Sequence, residues 1–240
     1  MIGALSRGAI QSTIKSKVSL GASLVFGSGF CALLYQTTWL REFRLIFGSS
    51  TAASAAVLGI FMGGLGFGSA LLGRRAEMAR RPLAFYAGLE FFIALSAALT
   101  PALVWSIRAM YVACGGTLAM GPVLSPCVRL LLAAVVLAAP TFFMGGTLPA
   151  MARFAVSDGD TGRRGLALLY GLNTLGAVVG ACAGTFYLLE RFGNHRTLYL
   201  ACGLNAVVAF LAWLAARLVC KGDRPHSIDR RRHPPCRDGA

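Results

Sequence analysis

The residue best placed to do chemistry in this chain is a lone carboxylate inside a long apolar run. Glu90 sits in PLAFYAGLEFFIALSAALTPALV (Pro82 to Val104). It falls about seven residues into the run, roughly 10 Å deep if that run is a helix crossing lipid. An unpaired carboxylate at that depth costs at least a few kcal/mol, so it either holds a proton or meets a partner inside a bundle of helices. Two roles follow: a proton- or cation-binding group, or a structural hydrogen bond between helices. The residue types alone weigh them evenly. Asn173, at a similar depth from the same side in a later apolar run, is a candidate neighbour. Tyr35, Gln36 and Asn205 are polar groups expected nearer the opposite ends of their runs, where interfacial solvation makes them less diagnostic; each is a candidate for lining a pathway.

Other chemistries find no support in the spacing. The three histidines, His195, His226 and His233, lie between apolar runs or in the C-terminal tail, and no set of nucleophile, base and oxyanion donors forms around them. No catalytic residue is therefore assigned. Seven cysteines include no CxxC pair and no His/Cys cluster of zinc spacing, so neither a metal nor another cofactor is expected. Cys114 and Cys127 fall together in the longest segment expected on the outer side, where a disulfide is an option if their Cα atoms approach closely enough. The string GGLGFG (Gly63 to Gly68) lacks the preceding strand and βαβ unit of a dinucleotide site. Those glycines, with Gly59, read instead as a small-residue face that another helix approaches, and Gly176, Gly180 and Gly184 repeat the device at a spacing of four. Pro140 and the segment MGGTLP (Met144 to Pro149) predict a kink or hinge.

The elements that position these residues are transmembrane helices. Of 240 residues, 56% are hydrophobic and only 13% charged, about half the charged share of a soluble domain. The apolar residues form blocks of 18 or more without period-two alternation, which favours helices over strands. Six helices are expected, at about 18–40, 51–73, 83–105, 129–151, 166–188 and 197–218. They divide the chain into an N-terminal segment 1–17, a six-helix domain 18–218 and a basic, proline-containing tail 219–240 expected to be disordered. The first apolar run is expected to be retained as a helix, because no small-residue cleavage site follows it.

The net charge of +14 does not point to nucleic acid, because the basic residues lie between the apolar blocks rather than on one soluble face. Alternate gaps hold seventeen and six Lys and Arg residues respectively. The richer set comprises Arg7, Lys15 and Lys17; Arg74, Arg75, Arg80 and Arg81; Arg153, Arg163 and Arg164; and seven from Arg217 to Arg237. Positive charge collects on the cytoplasmic side, so both termini are expected there, in a cell (inner) membrane with the lipid bilayer as the chief partner.

Four strings in order carry a family resemblance: SGFCALLYQTTWLREFRLIFGSS (Ser28 to Ser50), FMGGLGFGSALLGRRAEMARRP (Phe61 to Pro82), FFMGGTLPAMAR (Phe142 to Arg153) and LLYGLNTLGAVVGACAGTFYLLERFG (Leu168 to Gly193). Together they resemble the membrane portion of the fused major facilitator/spermidine-synthase-like proteins, over about residues 20–216. The resemblance implies an all-α fold similar to half of a major facilitator. Gly73, Arg74, Arg75, Glu77, Arg80 and Arg81 then correspond to that superfamily's loop between helices two and three. In that loop an aspartate normally precedes the basic pair; here the acid is Glu77, which follows it.

Full-length relatives carry a soluble aminopropyltransferase-like domain, which residues 219–240 have no room for, so aminopropyl transfer by this chain alone is not expected. Two functional expectations stand. One is a transporter-like protein for polyamines or other organic cations, working as a homodimer or with another half. The other is a membrane anchor for a separately encoded synthase-like partner, or an inactive remnant.

Overall fold

The structure is a computed structural model that describes residues 2–47, 51–155 and 160–222; the basic tail beyond 222 lies outside them. Helices account for the described residues: α1 (Ile2–Phe47), α2 (Thr51–Met78), α3 (Pro82–Ala113), α4 (Gly116–Gly145), α5 (Thr147–Ala155), α6 (Asp160–Ala183) and α7 (Leu189–Gly222), with a single π turn, Gly184–Leu188, joining α6 to α7. Five stretches are long and apolar enough to cross a membrane: Ser19–Arg44, Ser54–Met78, Pro82–Ala113, Leu124–Phe154 and Arg163–Val219. The last covers both helices expected at 166–188 and 197–218, which follow one another with a break at Gly193 and no loop between them. At 57 residues it would be about 85 Å long if straight, far more than a ~30 Å hydrocarbon layer.

It is not straight. Gly193 has φ +74°, a left-handed conformation that interrupts the helix and that a residue with a Cβ adopts only at a cost. The Thr197 hydroxyl stitches the break, 2.7 Å from the Gly193 carbonyl and 3.0 Å from that of Leu188. Contacts on either side give the direction of each limb. Gly176, Gly180 and Gly184 meet Phe26, Phe30 and Leu34 in rising order, so α6 runs parallel to α1. Beyond the break, Asn194 meets Glu42 and Val208 meets Gly27, so the chain returns antiparallel to α1.

The remaining helices alternate in the same way. Tyr86 contacts Leu24 and Thr100 contacts Trp39, making α3 parallel to α1. Gly64 and Gly68 lie on Thr141 and Phe142, and Gly146 lies on Leu72, making α4 parallel to α2. The kink expected around MGGTLP is a helix break at Gly146, and α5 restarts from Thr147, whose hydroxyl donates to the Met144 carbonyl at 2.8 Å. Between α3 and α4, α3 runs on past its expected end to Ala113, and helical residues resume at Gly116 but break at Gly121, which has φ +70°.

Pro101 stands inside α3 and offers no N–H to the carbonyl of Ala97. The Thr100 hydroxyl donates to that carbonyl instead, at 2.7 Å, and accepts from the Trp39 indole N–H at 3.1 Å. One buried hydroxyl thus repairs a helix and ties it to α1. Thr100→Val keeps the shape and removes both bonds, leaving a buried N–H and a buried carbonyl unpaired; a loss of about 1–3 kcal/mol is expected. Unfolding in detergent checks this, with Ser96→Ala as the nearly silent comparison, and equal stability of the two variants would refute it.

Polarity is distributed inside out relative to a water-soluble bundle. Phe67, Trp105 and Phe186 are 64%, 72% and 73% exposed, among many large apolar side chains on the outer surface. Ser28, Thr38, Glu90, Thr100, Thr141, Thr197 and Asn205 are buried. Lipid is the solvent that such an exterior suits, and hydrogen-bonding side chains between helices suit its interior.

Candidate functional site

The polar interior is concentrated where α1, α3 and the second limb of α7 meet. On α1, Leu24, Ser28, Cys31, Tyr35 and Trp39 recur at intervals of three and four, so they share one buried face. Tyr86 and Glu90 are one turn apart on α3, and Cys202 and Asn205 are three apart on α7. The Tyr86 hydroxyl donates to the Leu24 carbonyl at 3.1 Å, and the Asn205 amide donates to the Glu90 main-chain carbonyl at 2.7 Å. These two bonds draw the three helices together around the Glu90 side chain, which is 0% exposed.

Neither carboxylate oxygen of Glu90 has a partner in hydrogen-bond geometry. Ser28, Tyr86 and Asn205 nevertheless stand within looser hydrogen-bonding reach of the group, while Tyr86 and Asn205 also donate to main-chain carbonyls. Orphaned buried acceptors are rare, and each calls for an explanation. Cys31 lies near both Glu90 and Cys202, and the buried Tyr35 hydroxyl lies beside the Cys202 thiol without a partner in strict hydrogen-bond geometry. The Tyr35 ring stacks on Trp39 with centroids 5.4 Å apart. Further along α1, half-buried Glu42 accepts from the Asn194 amide, and Arg41 donates to the Leu189 carbonyl at 3.3 Å. The arrangement holds an acidic group in a buried core with a thiol and phenols nearby.

The structure brings Glu90, Asn205 and Tyr35 together but not Asn173. That residue packs against Gly29 of α1, on a different face from Ser28, and Asn205 takes the place expected of it. Asn205 is almost wholly buried between helices, donating to the Glu90 main chain. Gln36 is half-buried with its Oε1 unpartnered and is not among the groups around Glu90; it follows Tyr35 directly and so points about 100° away around the helix. Ser28, Cys31, Tyr86 and Cys202 were not singled out from the sequence. For Ser28 and Cys31 the signal was the recurrence of small polar residues at helical intervals on α1; for Tyr86, one turn before Glu90, it was that spacing alone.

In the basic loop, Arg74, Arg75, Glu77, Arg80 and Arg81 are exposed at the end of α2, and Gly73 faces Pro149 of α5. Arg153 reaches across to donate to the Glu77 main-chain carbonyl at 3.2 Å, so this link uses backbone and not the displaced acid. Cys114 and Cys127 are exposed free thiols, with no bridge between them. Among the described residues no group of three or more His, Cys, Asp or Glu is placed to hold a metal ion.

A bundle with an apolar exterior, a polar interior and five membrane-length stretches has the build of a multi-pass α-helical membrane protein. No protein family, curated protein or solved structure matches the chain.

Proposed function

We propose that the chain is a transporter-like membrane protein for polyamines or other organic cations, akin to the membrane portion of the fused major facilitator/spermidine-synthase-like proteins. In this reading it crosses the cell inner membrane six times with both termini in the cytoplasm. The reversal at Gly193 supports six crossings, since it divides Arg163–Val219 into two antiparallel limbs. The seventeen-to-six partition of Lys and Arg supports the orientation. One such bundle corresponds to half of a major facilitator, so a second copy or another half completes a pathway.

The observation that carries the transport reading is the Glu90 carboxyl group, sealed among three helices with neither oxygen hydrogen-bonded. An acidic group sealed in the core of a membrane bundle is costly to keep, and such groups mark ion or proton routes. The test is flux of labelled putrescine and spermidine in proteoliposomes, comparing wild type with Glu90→Gln. Saturable flux that the variant lacks supports transport. Absence of flux in well-folded wild type removes it and brings forward the anchor for a separately encoded aminopropyltransferase-like partner.

A further inference from the structure

We infer that the species Glu90 takes up and releases is a proton, and that the organic cargo passes elsewhere. The inference rests on the transport reading for its purpose but not for its chemistry. The geometry of the compartment argues for it. Hydrogen bonds from Tyr86 to Leu24 and from Asn205 to Glu90 close α1, α3 and α7 around the carboxyl group. Leu24, Val25, Ile93 and Ala201 are buried in the same three helices, and a Cβ added at Gly27 would come within 2.9 Å of Val208. An alkylammonium chain cannot reach Glu90 without prising these helices apart. A proton needs no such room.

The chemistry of the neighbours separates a proton from a metal cation. Hard cations gather about six or more oxygen ligands. Around Glu90 the side-chain oxygens come from Ser28, Tyr86 and Asn205, and the thiol of Cys31 is also near. A proton needs one lone pair on the carboxylate and one acceptor nearby. The Tyr86 hydrogen is engaged by Leu24, which leaves the phenol oxygen able to accept from a Glu90 O–H. Ser28 can donate to the deprotonated group or accept from the protonated one. The surroundings therefore serve both states without rearranging the helices.

The groups facing Glu90 are Ser28, Cys31 and Tyr35 from α1, Cys202 and Asn205 from α7, and Tyr86 on its own helix. Where α4 and α5 pack against α3 they present apolar side chains such as Phe143 and Met151. Among the described residues, Glu90 is the one charged side chain that is buried, so no fixed cation competes with the proton. In the exchange, an O–H bond of hydronium breaks as one forms on the carboxylate, and that bond later breaks as the proton passes back to a water molecule to form hydronium. No electrons are transferred.

Infrared difference spectroscopy of the full chain in lipid nanodiscs, with pH stepped up and down, tests this. The expected result is a protonated-carboxyl band that appears and disappears reversibly, exchanges slowly in heavy water, shifts on ¹³C-labelling of glutamate, persists in Glu42→Gln and is lost in Glu90→Gln. Folded protein with no such band at any pH it tolerates overturns the inference. If Glu90→Gln does not fold, the label and the slow exchange decide in wild type, because Glu77 and Glu190 are exposed and Glu42 is only half-buried. A titrating Glu90 band without polyamine flux upholds the proton site and removes the transport reading. Polyamine flux without the band does the reverse.

Discussion

Leucine at Gly176 and Gly180 together is expected to leave no monodisperse protein after detergent extraction. A Cβ at Gly176 would fall on the main-chain carbonyl of Phe26, and one at Gly180 on that of Phe30, each far inside van der Waals contact. The obstructing atoms are backbone, so no side chain can swing aside; α6 would have to move off α1 along the whole seam. Overpacking costs about 1–3 kcal/mol where neighbours can yield. Here they cannot, and two such insertions approach the ~5–15 kcal/mol that holds a typical fold together. Gly176→Ala alone should already lower the melting temperature. Gly59→Ala and Gly63→Ala, with nothing within 4 Å of the added carbon, should stay within about 0.5 kcal/mol of wild type. Size-exclusion chromatography and thermal melts in detergent read all of these. A Gly176/Gly180 double-leucine variant that elutes and melts like wild type would show that α1 and α6 do not meet as described.

The glycine pattern also shows how far the sequence could be read. A stripe at a spacing of four, as at Gly176, Gly180 and Gly184, can face only one way on a helix, and its close approach to α1 follows from that. On α2 the glycines occupy two faces. Gly64 and Gly68 lie against α4, whereas Gly59, Gly63 and Gly66 meet nothing within 4 Å, and composition does not say which face a neighbour will choose.

The same gap explains Asn173 and Asn205. Hydropathy gives the depth of a polar residue but not the rotation of its helix. Ser28 and Gly29, adjacent in sequence and about 100° apart on α1, face Glu90 and Asn173 respectively. The end of α3 was underestimated for a different reason: its backbone hydrogen bonds run on to Ala113, whereas a hydropathy reading stops where the apolar residues thin out. Glu90 itself was legible because a carboxylate within an apolar run has few inexpensive explanations.

Glu90→Gln is expected to abolish polyamine flux while leaving the protein folded. Glutamine matches the volume of the carboxyl group, carries no charge into the core, and offers an amide that can pair with Ser28 or the phenol of Tyr86. Its melting temperature should therefore equal or exceed that of wild type, since replacing an unsatisfied buried ionisable group with a neutral one is often neutral or stabilising. Flux should fall to the background of empty liposomes, a loss of roughly tenfold or more, equivalent to at least ~1.4 kcal/mol in the rate-limiting barrier. Asn205→Ala provides the contrast. It removes the bond to the Glu90 main chain, at a cost of about 0.6–1.7 kcal/mol in a membrane bundle, and should lower stability and flux together. The diagnostic result is the separation of the two readouts at Glu90 and their coupling at Asn205. If Glu90→Gln retains wild-type flux, the carboxyl group is not on the route and the core acid is structural. If it loses flux only in proportion to folded protein, Glu90 acts by packing, as Asn205 does, and the chemistry assigned to it must be withdrawn.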